Sequence, residues 1–304
     1  MTLKTQVTKN IVYKVLNSQD YRIEIVNLIN AEFLQFAIDF FKKIVNAKLN
    51  SKSITIDWYK DAFMNKNLKP EEIAINSGLN KKTISNMYRS ATKEIVIEAS
   101  NEHFETLYNT IQTLIDNEHE IDLTLTIKFN GVSVDLNVSE SLIVINTLAV
   151  KRAALRGGAW SATGKRVEKY LMLTLCKLYK VSSKNYNAEH FVKNKSLDVD
   201  REIDFYLRNN GKDYKCEVKL MGQGNPESAD AIIARSSDVF VADTLSQQNK
   251  NQCDQLGICW VACRDNEGYK RFKLALDKFE IPYTNYNGNL EEELPKILDE
   301  LLDS

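Results

Sequence analysis

Residues 202–220, EIDFYLRNNGKDYKCEVKL, constrain the fold more than any other segment because they predict a β-hairpin of defined register. The dipeptide Asn210-Gly211 is a strong signal for a two-residue hairpin turn, in which both central positions need a positive φ. A two-residue turn sets Asn209 opposite Lys212, and each further pair follows by stepping outward along both strands. The sequence therefore predicts which side chains share each face.

One predicted face of this hairpin is apolar. Side chains alternate between the two faces of a strand, so every second residue points the same way. The apolar set comprises Ile203, Phe205, Leu207, Tyr214, Cys216, Val218 and Leu220. We expect this face to be buried.

The other predicted face collects charges. It sets Asp204 opposite Glu217 and Glu202 opposite Lys219. Two carboxylates facing each other across a ladder lie only ~5 Å apart and repel each other. A divalent cation between Asp204 and Glu217 would offset that repulsion, with Lys219 as a third polar group on this face. The alternative is a solvated face on which Glu202 and Lys219 form an ordinary cross-strand ion pair.

Composition sets broad limits on the class of protein. The chain has 304 residues, 43% of them hydrophobic, and a formal net charge of −1, which indicates a globular protein with room for two domains. The balanced charge argues against a DNA-coating protein but not against a nuclease, whose cleft can be locally basic. The N-terminus is polar and no apolar run approaches ~20 residues, so we expect neither secretion nor membrane insertion.

The cysteines and histidines exclude several kinds of site. The five cysteines form no CxxC pair and lie mostly in apolar runs, which indicates neither a disulfide framework nor a zinc site and favours the reducing cytoplasm. The three histidines are scattered, which argues against Ser-His-Asp, Cys-His and HExxH chemistry.

Hydrophobic periodicity divides the chain into two predicted domains at residue 120. Residues 1–120 show mainly helical spacing, whereas residues 121–304 mix helices and strands, beginning with a second hairpin around Asn130-Gly131. From about Ser139 we expect a helix, a break at Gly157-Gly158 and a second helix. After the hairpin of residues 202–220 the pattern predicts a helix at 227–235, a strand at 239–242, a helix at 247–256 and a strand at 258–263.

Within the helical half, the segment of residues 69–91 has the spacing of a helix-turn-helix, and we place this motif near residues 70–91. Pro70 suits the start of the first helix, Gly78 allows the tight turn, and Asn80 suits the N-cap of the second helix. Three apolar residues fall where the second helix must pack on the first, namely Leu79, Ile84 and Met87. Ser77 departs from the pattern, since an apolar residue is usual there.

The second helix would present a polar face to DNA. The outward side chains suit contacts with phosphates and base edges, and they are Lys81, Lys82, Thr83, Ser85, Asn86 and Arg89. The alternative is a small corner of two helices with no role in DNA binding.

The loop after the hairpin supplies further candidates for DNA contact. Two glycines and a proline in residues 222–226 allow close approach of the backbone to a ligand, and Gln223 and Asn225 could meet base edges or phosphates. Arg235 is a candidate for guanine or phosphate contact. A plain structural loop and a solvated helix end are the alternatives. The lysine of a Walker loop is missing, so we expect no nucleotide cofactor.

The residues of the hairpin resemble a known nuclease motif. Asp204, twelve intervening residues and then Glu217-x-Lys219 resemble the PD-(D/E)xK superfamily, although Ile203 stands where the name has proline, a position that varies. Residues 157–261 also resemble type II restriction endonucleases of the CfrBI type. This resemblance implies an α+β fold, a PD-(D/E)xK core in which helices flank a mixed central sheet, together with the mainly helical N-terminal domain.

The resemblance implies a sequence-specific, Mg²⁺-dependent endonuclease that hydrolyses double-stranded DNA. Such enzymes are usually homodimers and are encoded beside a protecting methyltransferase. Asp204 and Glu217 become the metal ligands, and Lys219 the group that positions or deprotonates the attacking water. Glu168, on the preceding helix, matches a carboxylate that such enzymes place near the metal. Its alternative is a surface residue balanced by Lys165 and Lys169.

Three other functions remain open at this stage. A repair or recombination nuclease would share the hairpin but would not cut at one sequence. A helix-turn-helix transcription regulator would leave the Asp204 and Glu217 pair without a role, and an interaction protein would use the charged hairpin only as a surface.

Overall fold

A computed structural model describes residues 2–50, 55–117, 123–129, 131–188, 205–220 and 237–303 of the chain. The helices are α1 (Leu3–Leu16), α2 (Arg22–Leu49), α3 (Ile56–Phe63), α4 (Pro70–Asn76), α5 (Lys81–Tyr88), α6 (Lys93–Asn117), α7 (Val138–Leu178), α8 (Gln247–Leu256), α9 (Phe272–Lys278) and α10 (Leu290–Leu302). The strands are β1 (Leu125–Phe129), β2 (Val132–Leu136), β3 (Tyr186–Asn187), β4 (Phe205–Asn209), β5 (Lys212–Lys219), β6 (Val239–Ala242) and β7 (Cys259–Ala262). The prediction of an α+β chain is confirmed.

The chain forms two compact units. The sheet unit comprises Met1–Leu28 and Trp160–Ser304, and the helical unit comprises Ile29–Ala159. The sequence-based division at residue 120 differs from this one because the β1–β2 hairpin packs into the core of the helical unit. Leu136, which is fully buried on β2, shares a cluster with Phe104 of α6 and Ile44 of α2. The functions assigned to the two predicted domains stay predictions.

A mixed five-stranded sheet organises the sheet unit. Its strand order is β3-β4-β5-β6-β7, with β3, β4 and β5 antiparallel and with β5, β6 and β7 parallel. Each of the four residues of β6 is buried, as expected for a strand with parallel neighbours on both sides. The sheet with its helices is consistent with a nuclease fold.

Helix α8 connects β6 to β7 and begins and ends where the sequence predicts. The hydroxyl of Ser246 accepts a hydrogen bond from Asn249 N at the start, and Gly257 ends the helix with φ +67°. Cys253 of α8 packs against Phe240 of β6 and Ala262 of β7. This contact covers one face of the parallel part of the sheet.

The predicted break at Gly157-Gly158 is wrong, because α7 runs without interruption through both glycines. Neither glycine has a positive φ. Glycine costs only about 1 kcal/mol relative to alanine inside a helix. Buried residues fix α7 on both sides of the pair, including Ile143 before it and Leu171 after it, and that burial outweighs the local cost.

The second predicted hairpin is confirmed in the helical unit. Phe129 pairs with Val132, so two residues form the turn, and Gly131 has φ +81°. Within the part of the chain that the structure describes, no helix is both long and apolar enough to cross a membrane.

Candidate active site

The β4–β5 hairpin has the register that the sequence predicts. Asn209 pairs with Lys212, and the ladder continues to Phe205 opposite Cys216. Asn210 and Gly211 have φ values of 48° and 77°, as this type of two-residue turn requires. The described ladder stops one pair short of Glu217, because Asp204 lies outside the described residues, as does Glu202.

The apolar face of the hairpin is buried over part of its predicted length, whereas Tyr214 and Leu220 are half-buried and Ile203 lies outside the described residues. Phe205, Leu207, Cys216 and Val218 are each at most 1% exposed. Burial raises the pKa of the Cys216 thiol far above its usual value, so Cys216 is an apolar core residue here. The opposite face of β5 therefore carries its polar side chains.

Glu217 and Lys219 lie together on that opposite face. The side chain of Glu217 is 3% exposed and that of Lys219 is 27% exposed, and Lys219 Nζ lies 3.0 Å from Glu217 Oε1. A carboxylate removed from water needs a compensating charge, and the ammonium supplies one. The sequence also leaves open an ion pair between Lys219 and Glu202, but Glu202 lies outside the described residues. Glu217 is a partner of Lys219 that the structure does describe.

Glu168 approaches the end of the same strand from α7. Glu168 is 6% exposed, and its Oε1 accepts a hydrogen bond from Leu220 N at 3.4 Å. The alternative of a surface residue on α7 is therefore wrong. Glu168 is thus a buried acid beside Leu220, the residue that follows Lys219.

A further buried acid, which the sequence did not predict, lies beside this strand end. Asp243 directly follows β6, is fully buried, and donates its backbone N–H to the carbonyl oxygen of Lys219 at 3.3 Å. Its Oδ2 accepts a hydrogen bond from the hydroxyl of Tyr21 at 3.0 Å. Burial, with the Asp243 charge, raises the pKa of Tyr21 far above its usual value. A polar residue directly after the apolar run VFVA was the available signal.

Not all of the predicted site residues belong to the described part of the chain. Asp204, Gln223, Asn225 and Arg235 lie outside the described residues. No group of three or more His, Cys, Asp or Glu side chains is arranged to hold a metal ion among residues with described positions. The described part of the candidate site is therefore Glu217 and Lys219 on β5, with Glu168 at the strand end.

In the helical unit, α4 and α5 lie where the helix-turn-helix spacing predicts two helices. Gly78 turns the chain with φ +90°, and Asn80 caps α5 by accepting a hydrogen bond from Thr83 N at 2.9 Å. Ser77 is fully buried, and its hydroxyl donates to the carbonyl oxygen of Ala74 at 2.7 Å. That hydrogen bond explains how a polar residue occupies a normally apolar position.

The prediction that Met87 packs inward is wrong, because this residue is 61% exposed. Ile84 instead fills the contact between α4 and α5 and is fully buried. Val96 and Ala99 of α6 complete the cluster around Ile84, and Met87 does not belong to it.

The polar face of α5 is accessible, as predicted. Five of its six candidate residues are exposed and Thr83 is partly buried; the exposed ones are Lys81, Lys82, Ser85, Asn86 and Arg89. Lys81 Nζ lies 3.0 Å from Glu71 Oε1, and this hydrogen bond lowers the pKa of Glu71. Part of the charge of Lys81 is thus already compensated within the unit.

Comparison with known families finds a match over most of the chain. The sequence profile described as CfrBI restriction endonuclease matches residues 5–250. No curated protein and no solved structure matches the chain. The match includes α4, α5, Glu168, Glu217 and Lys219.

Proposed function

Because the chain belongs to the CfrBI restriction endonuclease family, whose members are DNA-cleaving hydrolases, we propose that it is a sequence-specific, Mg²⁺-dependent type II endonuclease for double-stranded DNA. The observation that carries the active-site assignment is the buried Glu217 with Lys219 Nζ 3.0 Å from its Oε1. Removing a carboxylate from water costs free energy, and active sites are places where proteins commonly bear such a cost.

We assign the site to a PD-(D/E)xK core. The antiparallel β4–β5 hairpin continues into the parallel strands β6 and β7, which supports a mixed sheet of this kind. Continuing the β4–β5 register by one pair would set Asp204 opposite Glu217. The proposal rests on that extension of the ladder.

The acids at the strand end suit Mg²⁺, which prefers oxygen ligands and commonly uses one or two carboxylates. Asp204 and Glu217 would hold the ion, and Glu168 would lie near it. When bound, Mg²⁺ lowers the pKa of a coordinated water and stabilises negative charge on the phosphate.

Lys219 then acts beside the scissile phosphate. Its pairing with Glu217 fixes the ammonium group near the acid, while its partial exposure leaves it accessible from solvent. An ammonium in this position donates hydrogen bonds to an attacking water or a phosphate oxygen, and it stabilises the charge that develops in the transition state.

DNA contacts would come from both units. On α5 and at its C-cap, Lys81, Lys82 and Arg89 suit phosphates. The shorter polar side chains of Thr83, Ser85 and Asn86 suit base edges or phosphates. Gln223, Asn225 and Arg235 remain candidates for base or phosphate contact. We further propose that the protein is a homodimer, that it acts in the cytoplasm and that it is encoded beside a protecting methyltransferase.

The family match disfavours a regulator without catalysis, and a repair or recombination nuclease remains the alternative. Incubating the protein with plasmid DNA and Mg²⁺ distinguishes these functions. A restriction enzyme gives discrete bands, whereas a repair nuclease gives a smear or structure-dependent nicks. Intact plasmid would contradict the proposed activity.

A further inference from the structure

Helix α5 carries an exposed methionine that the proposed DNA contacts do not use. Met87 is 61% exposed, although Ile84, three residues earlier on the same helix, is fully buried. Scattered apolar side chains are ordinary on protein surfaces, so the neighbours of Met87 decide what its exposure means.

The segment around Met87 is basic in a chain that is nearly neutral as a whole. Residues 73–93 contain four basic residues and no acidic one, whereas the formal net charge of the chain is −1. All four are exposed, and they are Lys81, Lys82, Arg89 and Lys93. A second copy of the chain that paired through this segment would bring like charges together. The charge therefore favours a polyanion as the partner that covers Met87.

Met87 lies on a border of the polar face of α5. Residues four apart are neighbours on one side of a helix, so Met87 lies beside Thr83, and it directly follows Asn86. A helix about 10–12 Å in diameter fits a DNA major groove about 12 Å wide. If Lys82 and Asn86 face the floor of that groove, Met87 reaches one of its walls.

The major groove offers an apolar side chain one specific partner, the C5-methyl group of thymine. Adenine, guanine and cytosine present hydrogen-bond donors and acceptors in this groove, and of the four bases only thymine adds a methyl group. A methionine side chain is unbranched and has three rotatable bonds, so it adapts to the position of such a group.

We propose that Met87 contacts the C5-methyl group of a thymine in the major groove and thereby favours an A·T pair at one position of the preferred sequence. This inference rests on the proposed binding of double-stranded DNA through α5. It adds an apolar contact to the polar contacts proposed for Lys82 and Asn86.

Replacing thymine with deoxyuridine tests the proposal, because it removes only the methyl group and keeps every hydrogen-bonding group of the base. The wild-type protein first selects its preferred duplex from a randomised library without Mg²⁺, so that no DNA is cleaved. Each thymine of that duplex is then replaced in turn. At one position the wild-type protein should lose about 4-fold in affinity, the effect of about one methyl group that is no longer buried.

Met87→Ala should bind the thymine duplex and the deoxyuridine duplex equally at that position. If no replacement weakened binding of the wild-type protein, the proposal would be overturned. It would also be overturned if Met87→Ala kept the 4-fold preference for thymine.

Two further variants serve as controls. Leu114→Ala removes a comparable apolar side chain, 51% exposed on α6, and should keep the thymine preference. Met87→Leu keeps an apolar side chain of similar volume and should also keep it. Alanine is a better helix former than methionine, and Met87 is exposed, so Met87→Ala should fold like the wild-type protein. Circular dichroism and thermal unfolding check this.

Two comparisons separate this inference from its neighbours. If Met87→Ala dissociated an oligomer that the wild-type protein forms without DNA, as measured by sedimentation, Met87 would contact a second copy and the thymine contact would be overturned. Discrete plasmid bands without a thymine preference that depends on Met87 would overturn this inference alone. Such a preference in a protein that leaves plasmid intact would contradict the endonuclease proposal alone. A protein that binds no DNA would contradict both.

Discussion

At the scale of single residues, the pairing of Glu217 with Lys219 carries the catalytic assignment. Glu217 is almost fully buried, and a buried carboxylate is costly unless a charge of opposite sign lies beside it. The ammonium of Lys219 supplies that charge, and a carboxylate is the form of the acid that binds a metal ion. The two residues therefore depend on each other both for stability and for the proposed chemistry.

Replacing Lys219 with methionine should lower the rate of DNA cleavage roughly 100-fold or more, since it removes a donor that stabilises transition-state charge. DNA affinity should change much less, because the remaining basic residues still contact phosphates. Single-turnover cleavage and a filter-binding assay measure the two quantities separately.

Lys215→Met is the matched control for Lys219→Met. Lys215 is exposed on the same strand and, by alternation, on the same face. This variant should cleave DNA at the wild-type rate. If both methionine variants lost equal activity, the effect would reflect general charge and not the position of Lys219.

At this scale the sequence predicted correctly that Glu217 and Lys219 share a face, because turn chemistry and strand alternation together determine which residues do so. Asp243 escaped prediction for a physical reason. Its burial depends on the parallel pairing of β5 with β6 and on Tyr21, more than two hundred residues away in the chain. No local pattern reports such long-range contacts.

At the scale of secondary-structure elements, local signals succeeded where they were strong. Both Asn-Gly turns gave the correct hairpin register. The Gly157-Gly158 pair was misread, because a glycine pair favours a break only when packing does not hold the helix on both sides. Met87 was misplaced because α6, and not α5 alone, completes the apolar cluster.

The turn between α4 and α5 should depend on Gly78. A Cβ at this position would lie 2.6 Å from Asn146 Nδ2, and φ is +90°. Gly78→Ala should reduce the free energy of unfolding by roughly 2–4 kcal/mol, from left-handed backbone strain plus steric crowding. Thermal or denaturant unfolding measures the change.

Gly131→Ala separates these two causes. Gly131 has a similar φ of +81°, but a Cβ there would meet no atom within 4 Å. Its cost should be limited to the backbone strain, about 1–2 kcal/mol. Equal destabilisation in the two variants would contradict the steric part of the account.

The exposed face of α5 should contribute to DNA affinity. Lys82→Ala should weaken binding of all sequences and reduce its salt dependence, since a phosphate contact would be lost. Asn86→Ala should weaken binding of the preferred sequence by about 1–3 kcal/mol if Asn86 reads a base edge. Titration of labelled duplexes at several salt concentrations measures both effects.

Lys128→Ala, at an exposed position on β1, serves as the charge control for Lys82→Ala. It should leave affinity and salt slope unchanged. If both α5 variants kept the wild-type affinity and site choice, α4 and α5 would be a corner of two helices with no role in DNA binding.

At the scale of the whole molecule, the order of the elements could be predicted from the sequence, but their grouping into units could not. The helical unit takes in β1, β2 and residues 138–159, because their apolar side chains complete its core. The sheet unit also includes α1. Lys9 Nζ of this helix lies 2.7 Å from Asp299 Oδ1 and 2.6 Å from Asp303 Oδ2. Contacts between residues so far apart in sequence have no local signal.

The most direct test of the account is cleavage of plasmid DNA by Glu217→Gln and Asp213→Asn beside the wild-type protein in Mg²⁺. Asp213 is an exposed carboxylate on the same strand, paired with Arg208. We expect Glu217→Gln to lower the rate roughly 1,000-fold or more while keeping DNA affinity, because the amide is a poor metal ligand. Asp213→Asn should give the wild-type bands. Digestion by Glu217→Gln at the wild-type rate would contradict the assignment of this strand to hydrolysis.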